Sequence, residues 1–350
     1  TVYLKFNHPK EFFLALLQMS KFEPDPIAEI SKIHKELVHF NIELLRPDVI
    51  KSEDDFTIEG DNIRFGLSSI KGISTSALEK FSHFRDSASN KFQVFQASTE
   101  AGINLGALSA LIQAGALDVG DSSSRSRLVV ECQLWKILTP RERLIALKFA
   151  EEGEQDLIKV INEMKVKVDD EGKRYIKDTR IETMRKRFAG YKKIYDINSR
   201  NEDFANWYYE NELLGYTHGV SIRDIFVNRN PELVQISQVK NSRPRTKVAF
   251  AGTIIDSTGV KVSQKGNEYI KFEVSDETGI IDVLLFNSKR GDSIQSCIDY
   301  NKGRLPDKKD VVLVKGMKAD DGVFGNYVTE QGSKIYMKLG QLTNDEKNLS

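Results

Sequence analysis

The chain has 350 residues, with 51 Lys and Arg against 51 Asp and Glu, a formal net charge of zero, and 40% hydrophobic residues. That length suggests two or three domains, and neutrality excludes a uniformly basic chain while leaving local basic patches open. No apolar run approaches the roughly 18 to 20 residues that cross a bilayer.

No signal-peptide pattern opens the chain. Cys132 and Cys297 are the two cysteines, far apart and outside any CxxC, which excludes a disulfide framework and leaves a reducing, cytoplasmic setting as the default. Thr1 in place of Met fits ordinary Met removal and equally fits a cut from a longer polypeptide.

In chain order, Pro9 with Glu11 starts an amphipathic helix through Phe12, Phe13, Leu16, Leu17 and Met19 that ends near Lys21. Asp25-Pro26 starts a second helix, with Ile27, Ile30, Leu37 and Val38 as its apolar stripe. Residues 41–60 read as irregular, with a turn at Arg46-Pro47-Asp48, and a short strand is expected from Asn62 to Leu67.

Next comes Leu67-Ser68-Ser69-Ile70-Lys71-Gly72-Ile73-Ser74, which has the form of a helix-hairpin-helix. Gly72 lets a phosphate approach without Cβ interference, and the amides after it open a helix whose positive end suits an anion. Lys71 adds a point charge. Such a device grips backbone phosphate and carries no base information. A plain interhelical turn is the alternative reading. Asn104 through Leu108, Leu111 and Ile112 to Gly115 repeats the logic, with Asn104 as cap and Gly115 at the helix end. Ser122, Ser123, Ser124, Arg125 and Arg127 then offer hydroxyls and two guanidiniums. Two hairpins together favour DNA, because one phosphate site alone binds weakly.

Residues 128–215 read as helical and charged. Residues 171–200 hold ten Lys and Arg against four acids, with Met184, Phe188, Tyr191 and Tyr195 at helical spacing. That stretch is read as a solvated face over a small core, with duplex contact as the other possibility. Residues 229–246, with Pro231, Ser242 and Pro244, have linker composition.

From Lys247 the hydrophobic period switches to two. Strands are expected at 247–255, 268–274, 280–286, 311–318 and 334–339, with a helix near 292–300, which matches a five-stranded OB barrel. Ile270, Phe272 and Val274 should point inward, leaving Tyr269, Lys271 and Glu273 outside. Tyr269 beside Lys271, Lys261 and Lys265 is the stacking-and-charge arrangement that single strands favour. Use of the barrel for protein contact is the alternative.

The five histidines form no metal-ligand cluster, and no GxxxxGK[ST], HExxH, GxSxG or kinase set occurs. Asp54-Asp55-Phe56 lies in a polar turn, without the hydrophobic strand that would hold two carboxylates on one metal pair, and is read as structural.

Taken in order, these segments resemble the C-terminal part of the bacterial DNA polymerase III alpha subunit, family C. The resemblance rests on Tyr3-Leu4-Lys5 with Pro9-Lys10-Glu11-Phe12, Arg46-Pro47-Asp48-Val49, and Ile63-Arg64-Phe65-Gly66-Leu67 running into Ile70-Lys71-Gly72. It continues through Ala114-Gly115-Ala116-Leu117-Asp118, Glu212-Leu213-Leu214-Gly215-Tyr216, and the barrel from Val248 to Phe286. The order implied is the end of the fingers (1–60), a tandem hairpin region (61–130), a charged helical segment (131–228), the linker, and an OB domain (247–342). The fold class is thus mostly α, followed by a small all-β barrel.

The resemblance implies a DNA-binding part of a polymerase used in DNA replication, in a bacterial or phage-infected cell. Arg64, Lys71, Gly72, Ile73, Ser74, Gly115, Arg125 and Arg127 would hold duplex phosphates. Lys261, Lys265, Tyr269 and Lys271 would face single-stranded template. The family's palm aspartates, which hold Mg2+, precede the matching region, so the chain alone is expected to be inactive and to contain no cofactor. Expected partners are primed DNA, the catalytic palm portion and a sliding clamp, with no membrane. Gln155, Leu157 and Ile158 are the nearest match to the family's clamp-binding peptide. Thr217-His218-Gly219 departs from its serine-histidine-proline stretch, and the family's further C-terminal domain has no counterpart. The absence of that domain points to a shortened or phage-encoded version. A stand-alone single-strand-binding or recombination protein, and a tRNA-binding OB protein, are the alternatives.

Overall fold

Proline and capping residues set the first helix starts where the sequence placed them. α1 (Val2–Asn7) leads into α2 (Pro9–Met19), whose Pro9 occupies the first turn, where its missing N–H removes no hydrogen bond. Asp25 caps α3 (Pro26–Leu37) by accepting from the Ala28 amide at 3.1 Å. Phe13 and Leu17 of α2, and Ile30, Ile33 and Leu37 of α3, are buried at the three- and four-residue spacing of one helix face. The structure is a computed structural model and describes residues 2–82, 90–117, 124–154, 156–199, 201–288, 291–301 and 303–330.

A three-stranded sheet follows, in the order β1 (Leu44–Leu45), β3 (Asn62–Arg64), β2 (Thr57–Glu59). The strand expected to reach Leu67 stops at Arg64. Beyond it, the Leu67 and Ser68 amides donate to the Glu53 and Asp54 carbonyls at 3.0 and 2.9 Å. Gly66 lies against the Asp55 and Phe56 backbone, where a Cβ would collide. The same bonds fix the Asp54-Asp55 turn, and Asp55 pairs with Lys21 at 2.7 Å.

Eight helices complete this half among the described residues: α4 (Thr75–Ser82), α5 (Lys91–Glu100), α6 (Leu105–Gln113), α7 (Arg125–Ile137), α8 (Pro140–Glu151), α9 (Leu157–Val166), α10 (Asp178–Ser199) and α11 (Glu202–Leu214). Residues assigned to three segments from the sequence share one core, which runs from Phe13 through Phe65, Phe92 and Trp135 to Tyr216. The apolar faces of the early helices and of the hairpin helices are buried against one another, so no boundary falls at 60 or 130. The chain divides after Tyr216 instead. At that point α11 ends on Gly215, φ 82°, where a Cβ would stand 2.5 Å from the Ile27 carbonyl oxygen. The Leu-Gly-Tyr motif therefore serves the close approach of α11 to α3.

The second unit starts at Thr217. It contains α12 (Ile222–Val227), α13 (Ile236–Asn241), β4 (Lys247–Ser257), β5 (Lys261–Val262), β6 (Glu268–Asp276), β7 (Gly279–Ser288), β8 (Gly291–Asp292), α14 (Ser293–Tyr300), β9 (Val311–Lys318) and β10 (Gly322–Glu330). β4 pairs with β6, β6 with β7, β7 in parallel with β10, β10 with β9, and β9 with β4. This closed five-stranded barrel is an OB fold, and closure leaves its core strands no free edge. Ile270, Phe272 and Val274 fill the interior as their alternation required.

Two expectations change here. The fifth strand is Gly322–Glu330, ahead of the 334–339 stretch expected to supply it, which lies outside the described residues. The stretch read as a linker folds: α13 opens with a Gln235–Gln238 capping box and buries Ile236 and Val239 in the barrel core. Pro231 and Pro244 flank a helix there instead of marking an open connection.

Candidate nucleic-acid interface

The turn at Gly72 presents open backbone. Gly72 has φ 89°, and no atom lies within 4 Å of the place a Cβ would take. A 3-10 turn, Leu67–Ser69, stands where the first hairpin helix was expected, and α4 is the second. Ile70 anchors the turn in the core, while Ile73 is half-buried and Ser74 exposed. The Ser74 hydroxyl accepts from the Ala77 amide at 3.3 Å, and Ala77 and Leu78 are buried beneath. The first N–H groups of a helix have no intrahelical acceptor, so exposed Thr75 and Ser76 sit at the positive end of α4. Lys71 is exposed, and its Nζ pairs with Glu212 of α11. Its amide donates to the Leu213 carbonyl at 3.1 Å, which ties the turn to the end of α11.

A second turn of the same build lies between α5 and α6, at Gly102 and not at Gly115. Gly102 has φ 67° and is exposed. Asn104 caps α6 by accepting from the Ala107 amide at 2.8 Å, and Ala107 and Leu108 are buried. Lys80 donates to the Gly102 carbonyl at 3.1 Å, and Lys136 to the Ile103 carbonyl at 2.9 Å. The signal was in the sequence: Gly72-Ile73-Ser74 and Gly102-Ile103-Asn104 are each followed by Ala-Leu at the same spacing.

Gly115, by contrast, is buried. Its φ of 78° closes α6, with the Ala116 amide reaching the Leu111 carbonyl at 2.9 Å and the Ala116 carbonyl accepting from Val49 at 2.9 Å. It is a helix-ending glycine with no face to solvent.

Several cations proposed for phosphate are built into the fold. Arg64 makes two bonds to the Glu59 carboxylate, at 2.7 and 2.6 Å, and a third to the Arg46 carbonyl. That pairing holds the Glu59 carboxyl below its usual range. Arg125 is buried against Glu210 at 2.7 Å. Arg127 bonds Asp156 at 2.6 Å and Glu131 at 3.3 Å, and lies over the Tyr195 ring at 5.6 Å. Glu131 also receives Lys91 at 2.9 Å; burial nevertheless pushes its carboxyl above the usual range. In the basic stretch, Met184 is buried and Arg180 holds Glu142 at 3.0 Å, whereas Lys186 and Arg187 are exposed. Leu157 is fully buried and Ile158 half-buried in the helical core, so the residues matched to a clamp peptide are not presented to a partner; Gln155 lies outside the described residues.

On the barrel, Lys261 sits opposite Tyr269 in the β5–β6 ladder, and Lys261 and Lys265 are exposed. Lys271 is held by Asp282 at 2.8 Å, a hydrogen bond that raises its pKa, with Glu273 at 4.0 Å. Its charge is therefore largely neutralised. Tyr269 does not stand alone. Its ring lies 6.1 Å from Phe286 of β7, which lies 5.8 Å from Phe324 of β10, 46% exposed. Met317 of β9 is the ladder partner of Phe324 and is also exposed. Four neighbouring strands thus carry one aromatic and thioether strip. Phe286 follows from alternation along β7, but Phe324 lay on a strand the sequence did not reveal.

Among the described residues, no group of three or more His, Cys, Asp or Glu could hold a metal ion, and no helix is long and apolar enough to cross a membrane.

A repeated glycine turn before a capped helix gives residues of the first unit the form of a helix-hairpin-helix, and residues 41–128 match the family model described as "Helix-hairpin-helix motif". Over 300 residues the chain is 26% identical to the DNA polymerase III subunit alpha of Thermus aquaticus, a match covering 82% of this chain and 21% of that subunit. It is 34% identical over 122 residues to the same subunit of Deinococcus radiodurans, 34% of this chain and 9% of that one. The Aquifex aeolicus subunit is 34% identical over 126 residues, 34% of this chain and 10% of the subunit. The chain resembles a portion of the DNA polymerase III alpha subunit, as its motifs indicated.

Proposed function

We propose that this chain is the nucleic-acid-holding portion of a DNA polymerase III alpha-type enzyme acting in DNA replication in the cytoplasm. The turns at Gly72 and Gly102 hold duplex phosphates on bare backbone and helix N-termini, with Lys71, Lys80 and Lys136 supplying charge. The barrel receives unpaired template on Tyr269, Phe286 and Phe324, with Lys261 and Lys265 beside them. Nucleotidyl transfer belongs to a palm portion whose aspartates hold Mg2+, and the chain by itself extends no primer. A sliding clamp is a further partner in this reading.

The observation that carries this reading is the pair of glycine turns, each at positive φ and each followed by a capped helix. Duplex affinity should fall linearly in log–log with salt, with a slope of about −0.9 per phosphate neutralised. A flat salt profile sinks the duplex reading. Incubation with primed template, dNTPs and magnesium tests the catalytic claim, and any extension by the isolated chain overturns it. Competition with tRNA separates DNA from RNA recognition.

A further inference from the structure

The barrel's aromatic surface does not end at Phe324. On β10 the pairing register with β9 shifts between Gly325 and Tyr327, so Asn326 is an extra residue without a ladder partner. Strict alternation would send Tyr327 inward three residues after outward Phe324; the bulge returns it to the outer side, where it is half-buried against a small apolar cluster of Leu233, Ala249 and Leu313, and Val328 is the next residue in the core. The Tyr327 ring lies 4.7 Å from that of Tyr300, the last residue of α14, which is 53% exposed. Lys315, the ladder partner of Tyr327, places its Nζ 5.9 Å from the Tyr327 ring and 2.6 Å from Glu232.

We propose that Tyr300 and Tyr327 form a second base-stacking site for single-stranded nucleic acid, continuing the strip of Tyr269, Phe286 and Phe324. The proposal rests on the reading of the barrel as a single-strand platform. Two features select this occupant over an apolar protein surface. Both rings are tyrosines, which offer a face to a base while the hydroxyl stays wet. Lys315 stands beside them, where an arriving phosphate contests its bond to Glu232. A strand crossing from β6 to β10 thus turns along β10 at the bulge and reaches Tyr300, lengthening the site.

The test is anisotropy of labelled oligothymidylates on the full chain, at roughly 4 and roughly 12 nucleotides, the span of site sizes for one such barrel. Tyr300→Ala should weaken the longer oligonucleotide about fivefold or more, as loss of one stacked base requires, and leave the shorter one unchanged. Tyr300→Phe keeps the ring and should bind both as the parent does. Unchanged affinity of Tyr300→Ala for the longer strand, or equal loss at both lengths, overturns the second site. Phe286→Ala should weaken both lengths; if it weakens neither, the single-strand reading of the barrel itself fails.

Discussion

Gly72 and Gly102 are equivalent positions in two turns of one build: φ is 89° at the first and 67° at the second, and the residue two places on caps a helix in each. A Cβ at Gly72 would meet nothing within 4 Å, and at Gly102 only the Lys80 Nζ, at 3.8 Å. Replacing either by Ala therefore costs about 1–2 kcal/mol of backbone strain without a clash. Under the proposed reading the added methyl stands where a phosphate would approach, so duplex affinity should fall roughly tenfold, the scale of one lost charge-assisted hydrogen bond. Gly215→Ala is the control. It collides with the Ile27 backbone and should lower stability with no selective effect on binding. Equal duplex affinity in Gly72→Ala and the parent would exclude this turn from the interface.

Glu212 holds Lys71 in an ion pair, so under the proposed duplex reading it competes with DNA for that lysine. Both side chains are partly exposed, so the pair contributes no more than about 1 kcal/mol. Glu212→Gln should raise duplex affinity by up to about fivefold, the equivalent of that energy. Lys71→Met should lower affinity and flatten the salt slope by about one unit. Opposite signs for the two variants, read in one salt titration, are the expected result.

His34 lies against Tyr216, ring centroids 4.6 Å apart, and burial, with Lys35 adding repulsion, pushes its pKa down to about 4 from 6.5. Between those values the unfolded chain binds a proton that the folded chain refuses. The stabilisation is complete above pH 6.5 and is lost as pH falls to 4, a change of about 3 kcal/mol. His34→Phe keeps the ring contact without titrating, so its urea midpoint should fall less steeply over that window. Parallel curves for the two proteins would show that His34 is not the sensor.

Arg125 and Glu210 are buried together at 2.7 Å. Glu210→Ala leaves the buried guanidinium without its carboxylate, with the Gln113 carbonyl at 3.3 Å still bonded to it, and should cost about 3 kcal/mol in chemical unfolding. A loss below about 1 kcal/mol, the range of a surface pair, would mean that water reaches Arg125.

Much of this architecture was legible in the residues. Pro9, Asp25-Pro26 and Asn104 marked helix starts that stand where expected, because caps act within a single turn of chain. The strict alternation of 268–274 placed Ile270, Phe272 and Val274 inside. The glycines misled where the same residue serves two purposes. Gly115 and Gly102 both adopt positive φ, and composition alone does not say which one faces solvent. Arg64, Arg125 and Arg127 read as free guanidiniums because their partners Glu59, Glu210 and Asp156 lie on other elements or across a turn.

The sequence by itself determined the local devices: caps, proline starts, the glycine turn at Gly72, and the period that separates helices from barrel. Tertiary structure alone decided which devices remain open to a ligand. Burial and ion pairing depend on contacts between residues far apart in the chain, such as Arg125 with Glu210, and on register, as in the β10 bulge that turns Tyr327 outward. Chain order carries no distance between such residues; only the packed fold does.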